Sequence, residues 1–115
     1  MYQFAYAEAM EDSLSDAQCR EREAFDKSIA LMRAAASQKR YSRLAIEAIT
    51  YTQRLWSALI DDLSSPDNQL AEQVRANLIS IGIWILAETD RIRKRLSANF
   101  QGIIEVTAAI RNGIA

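Results

Sequence analysis

Residues 70–96, LAEQVRANLISIGIWILAETDRIRKRL, constrain the fold more than any other stretch of the chain. Leu70, Val74, Leu78, Ile81, Ile85 and Ile92 recur at steps of three, four or seven, which stacks them on one face of a helix. A helix of this length runs about 40 Å, enough to cross a small domain from end to end. Between Leu78 and Leu86, the residues Ile79, Ile83 and Trp84 put apolar groups on its other faces. A helix that is apolar all round must be covered all round. The segment is therefore either the central rod of a bundle or presents one face to another protein. Gly82 sits in its middle, where glycine costs about 1 kcal/mol relative to alanine. It either lets a neighbouring helix approach closely or forms a notch for a partner's side chain. The run is not a membrane span. Ser80 and Gly82 interrupt it, Glu88 and Asp90 close it, and a span needs about 20 apolar residues.

The remaining periodic segments also read as helices. Half of the 115 residues are apolar, with three glycines and one proline, which points to an all-α fold. The spacing predicts helices over roughly 15–37, 43–64, 70–96 and 98–112, in one domain spanning 1–115. Ser15 and Gln18 have capping-box spacing at the start of the first, and Phe25, Ile29, Met32 and Ala36 form its stripe. The second carries a wide stripe from Ala45 to Leu63, with Trp56 at its centre. Ser64-Ser65-Pro66-Asp67-Asn68 is the clearest break and makes the second and third helices antiparallel neighbours. Ser97 is placed to cap the last helix, and Gly113 to end it. Residues 1–12 form a short aromatic arm, in which Tyr2, Phe4 and Tyr6 suit either a strand or a helix. The arm either tucks onto its own bundle or docks on a partner.

Little in the chain suggests catalysis. There is no histidine, so the commonest general base and metal ligand are missing. There is no glycine-rich phosphate loop and no cysteine–histidine cluster. Asp61 and Asp62 point about 100° apart on a helix and are no catalytic dyad. No enzyme activity, metal or cofactor is expected. A net charge of −1 does not predict a nucleic-acid binder. The basic run Arg91, Arg93, Lys94 and Arg95 complements a helix C-terminus; with Lys39, Arg40 and Arg43 it alternatively forms a phosphate-binding patch. The single Cys19 fits a reducing compartment. The start, MYQFAYAEAMED, has no signal-peptide pattern, so a cytoplasmic location is expected.

Several short stretches, in this order, resemble the FlaF family of flagellin-biosynthesis regulators. They are Met1-Tyr2-Gln3-Phe4 with Tyr6-Ala7-Glu8, Arg54-Leu55-Trp56 with Leu59-Ile60 and Asp62-Leu63, and Ser65-Pro66-Asp67-Asn68. Leu78-Ile79-Ser80-Ile81-Gly82 with Trp84-Ile85, Asn99-Phe100, and Ile110-Arg111-Asn112-Gly113 complete the set. The resemblance covers nearly the whole chain and departs from the family pattern at Ala71, where proline is common. It implies a small helical protein that acts after transcription to promote flagellin synthesis or export. The implied partners are flagellin itself and FlbT, a second regulator that acts on flagellin mRNA.

Three functions follow as expectations. The first is a flagellin-binding chaperone and regulator, with a groove along the middle of the third helix near Ile79, Gly82 and Ile83. Tyr2, Phe4 and Tyr6 of the arm, and Arg111 and Asn112 near the C-terminus, are its further partner-binding candidates. The second is an RNA-linked translational regulator that works with FlbT through the basic patch. The third is a structural bundle that dimerises through the third helix.

Overall fold

The computed structural model describes the backbone of residues 2–38 and 41–113, and the side chains of 17–38 and 41–113. It contains four α-helices, α1 (Tyr2–Ala36), α2 (Arg43–Ser64), α3 (Glu72–Arg93) and α4 (Phe100–Asn112), and no strand among the described residues. The all-α bundle expected from composition and periodicity is the fold observed. The arm expected over residues 1–12, with Tyr2, Phe4 and Tyr6, falls outside the residues whose side chains are described. No helix boundary falls at Ser15, the expected start of the first helix. Residues 2–36 contain no glycine or proline that would break α1 there.

Successive helices run antiparallel. Along α1 and α2, Phe25 meets Trp56 edge to face at 5.9 Å, and Ser28 hydrogen-bonds Thr52 at 2.6 Å. Along α2 and α3, Gln53 donates to Thr89 at 3.2 Å, and Ile60 lies against Gly82. α4 runs back along α1: Phe100 lies near Ala35, and Arg111 reaches Asp26. The principal helix pairs are α1 with α2, α2 with α3 and α1 with α4. The order in space is therefore α3, α2, α1, α4.

This order corrects the central-rod reading of residues 70–96. α3 is an edge helix, packed chiefly on α2, whereas α1 and α2 each hold two principal neighbours. Periodicity fixes which face of a helix is apolar but not which helix lies against it. Trp56, Phe25, Met32, Ile85, Ile92 and Ile103 are the large apolar side chains at the centre of the core, each at most 1% exposed.

The ends of the helices have local causes. Asn68 accepts from Leu70 N at 3.0 Å and donates to the Asp62 carbonyl at 3.2 Å, which closes the turn after α2 and delays the start of α3 to Glu72. At the other end of α3, Arg95 adopts the left-handed region with φ 62°. Leu96 N donates to the Arg91 carbonyl and Arg95 N to the Ile92 carbonyl, both at 2.9 Å. This is the Schellman pattern, and it stops α3 at Arg93 rather than carrying it to Leu96. Asn99, not Ser97, caps α4, because its side chain accepts from Gly102 N at 3.0 Å. Ser97 turns back instead and donates to Glu88 Oε1 at 2.7 Å.

Candidate functional site

α3 carries more apolar surface than its neighbours cover. Leu70 lies just before the helix, on the same periodic stripe as Val74, Leu78, Ile81, Ile85 and Ile92. The covering along this stripe is uneven. Ile85 and Ile92 are buried, Leu78 and Ile81 are half-buried, and Val74 and Leu70 stand 44% and 47% exposed. Trp84, three residues after Ile81 and adjacent to it on the helix surface, is 41% exposed. Together they form an open apolar strip about 20 Å long on the N-terminal half of α3.

The cause is the edge position of α3, whose one principal neighbour among the described helices is α2. α4 begins beside the C-terminal end of α3, and its last turn is tied to Asp26 on α1. Asp26 adjoins Phe25, Phe25 meets Trp56, and Trp56 lies against Gly82. The stripe is covered at Ile85 and Ile92, which join the shared core, and open at Leu70, Val74 and Trp84.

The residues expected to form the partner groove are separated by this geometry. Gly82 is buried and faces α2, where a Cβ would stand 2.9 Å from Ile60 Cδ1 and 3.1 Å from Trp56 Cε3. It is the close-approach glycine and not a notch open to a partner. Ile79 is half-buried, and Ile83 is 58% exposed on the side of α3 opposite the strip. Only Ile83 of the three is open. The strip containing Leu70, Val74 and Trp84 was legible as periodicity. The sequence did not show that its N-terminal half lacks a cover.

Arg111 and Asn112 end α4, where Arg111 makes a two-pronged contact with Asp26, Nε to Oδ1 at 2.9 Å and Nη2 to Oδ2 at 3.3 Å. Bonding to Asp26 raises the Arg111 pKa further above its ordinary value. Arg111 therefore clamps α4 to α1. Asn112 is exposed beside it.

The basic end of α3 is largely neutralised. Arg91 pairs with Glu88 at 3.4 Å, Lys94 with Asp90 at 2.9 Å, and Arg93 with the same Asp90. Hydrogen bonds from Arg93 and then Lys94 hold the Asp90 carboxyl below its ordinary pKa. Arg43 pairs with Glu47 at 3.5 Å, and Lys39 and Arg40 lie outside the described residues. Arg95 alone of the basic run on α3 has no ion-pair partner among the described residues; its guanidinium rests 4.9 Å from the Tyr41 ring centroid.

Residues 2–114 match the family described as Flagellar protein FlaF. The chain belongs to the FlaF family of flagellar proteins. That match spans α1 to α4, so the fold described above is that of a FlaF chain over nearly its whole length. No curated protein and no solved structure matches it significantly. No described helix of this FlaF chain is long and apolar enough to cross a membrane.

Proposed function

We propose that this FlaF chain is a non-enzymatic, cytoplasmic flagellin-binding chaperone and regulator that promotes flagellin synthesis or secretion after transcription, alongside FlbT. The observation that supports this reading is the open apolar strip of Leu70, Val74 and Trp84 on α3. Strips of this kind mark interaction surfaces. Its anchors, spaced along one helix face, suit a partner helix laid alongside α3. Flagellin's terminal segments, which resemble long amphipathic helices, are the proposed occupant. The RNA-linked alternative draws less support, because most of the described basic side chains near the α3 C-terminus are already paired with acids.

The test is a pull-down of the tagged full chain from flagellated cells, with the eluate identified by mass spectrometry and each complex titrated against salt. Flagellin and FlbT in the eluate, with flagellin retained at high salt, are expected. Phosphate contacts would instead weaken linearly in the logarithm of salt concentration. Absence of both proteins would contradict the proposal and favour the structural bundle.

A further inference from the structure

The opposite end of the bundle holds a second site, independent of the strip on α3. A half-open cavity of about 740 Å³ lies between the α1–α2 and α3–α4 connections. Its floor includes the core residues Ala35, Ala45 and Phe100, and its rim includes Tyr41, Arg95 and Leu96. Leu96 is 68% exposed.

Among the described residues, Arg95 is the only charged side chain on the lining. It holds a left-handed backbone conformation, where glycine is the favoured residue and any other costs free energy. Its neighbours Arg91, Arg93 and Lys94 are each neutralised by an acid one turn back, but among the described residues Arg95 meets only the face of Tyr41. Tyr41 therefore holds the guanidinium in place and leaves its five N–H donors unclaimed by any described acid. An uncommitted fork of donors beside an apolar cleft is complementary to a carboxylate attached to an apolar group.

We propose that this cleft binds the C-terminal carboxylate of a peptide whose last residues are aliphatic. The side chains lie on the Ala35–Ala45–Phe100 floor against Leu96, and the carboxylate pairs with Arg95. A peptide is favoured over a free fatty acid by the openness of the cleft and by Gln38 and Gln101 on its lining, whose amides suit a peptide backbone.

The test uses the full chain labelled with ¹⁵N. Acetyl-Ala-Leu-Leu with a free carboxylate is titrated to about 5 mM, a range that detects weak complexes. The same peptide as its C-terminal amide, and octanoate, are titrated in parallel. Saturable shifts of the Tyr41, Ala45, Leu96 and Gln101 amides are expected with the free acid, and at least tenfold weaker binding with the amide. Arg95→Gly relieves the backbone conformation while deleting the guanidinium. It should melt no lower than the parent and lose the peptide, while Arg95→Lys recovers part of the binding. The proposal is overturned if no saturable shifts occur at those amides, if acid and amide bind equally, or if Arg95→Gly binds like the parent. Octanoate binding more tightly than the peptide, with the same dependence on Arg95, would overturn the peptide assignment in favour of a fatty acid.

Discussion

Val74 and Ile85 point to the same side of α3, about three turns apart, yet Val74 is 44% exposed and Ile85 is fully buried. Their side chains are of the same kind, so chemistry does not explain the contrast. The difference is what lies opposite: Ile85 joins the shared core, and Val74 lies outside it on the edge helix. Burying an aliphatic side chain of this size is worth about 1.5–3 kcal/mol. That gain is unused at Val74 in the free protein and is available to a partner.

Trp56 is the largest side chain of the core, 1% exposed, and its Nε1 has no hydrogen-bond partner among the described residues. Its contribution is therefore packing. Trp56→Ala should cost about 3–5 kcal/mol, read from chemical denaturation. Trp56→Phe should cost distinctly less, because no hydrogen bond is lost. A Trp56→Ala protein that melts like the parent would show that the core does not depend on this ring.

Gly82→Ala places a methyl group 2.9 Å from Ile60 Cδ1 and 3.1 Å from Trp56. Alanine gains about 1 kcal/mol in helix propensity, and the overpacking costs about 1–3 kcal/mol. A net loss of about 1 kcal/mol is expected, because Trp56 is held on all sides. Ile60→Val removes the nearest atom and should rescue part of that loss in the double variant. Stabilisation by Gly82→Ala alone would mean that α2 and α3 separate freely.

Ser28 and Thr52 satisfy each other across α1 and α2 at 2.6 Å, and both are fully buried. Thr52→Val leaves the Ser28 hydroxyl without that partner and should cost about 1–3 kcal/mol. Ser28→Ala combined with Thr52→Val should cost less than the sum of the single changes. Additive costs in this double-mutant cycle would show that the two hydroxyls do not interact.

Glu21 should make stability depend on pH. Burial, and then the neighbouring Asp62 carboxylate, hold its pKa above the ordinary value. A carboxyl whose folded pKa is raised favours folding below its unfolded pKa, and that contribution is lost as pH rises through the folded value. Glu21→Gln should therefore stabilise the protein at pH 7, by at most about 0.5 kcal/mol because water screens a half-exposed group. The gain should vanish near pH 3, where the carboxyl is protonated in both states. Thermal melts at the two pH values check this, and an equal gain at both would exclude the charge as its cause.

Much of the helical architecture is legible in the sequence, and its limits are specific. Pro66 and Asn68 mark the α2–α3 break because their backbone preferences are local. Trp56 reads as core because it lies at the centre of a wide stripe. The end of α3 is not legible at Arg95, because the left-handed stop is made by arginine where glycine would have signalled it. Ser97 and Asn99 are both cap-forming residues, and the bonds from Gly102 N to Asn99 and from Ser97 to Glu88 decide between them. The open strip is the largest omission. Leu70, Val74 and Ile81 carry the same periodic signal as Ile85, and which of them is covered depends on how the helices are ordered in space. The same limit explains why Gly82 and Ile83, neighbours in sequence, serve opposite sides of the helix.

The most direct test is calorimetric titration of purified flagellin against the full chain and two variants. The double variant Leu70→Asp with Val74→Asp should keep the parent's melting behaviour, because both side chains are largely exposed. It should bind flagellin at least about 30-fold more weakly, as expected when central anchors are lost. Ile83→Asp, on the opposite face, should bind like the parent. Unchanged affinity in the double variant, or loss of binding in Ile83→Asp alone, would contradict the assignment of the α3 strip as the flagellin-binding surface.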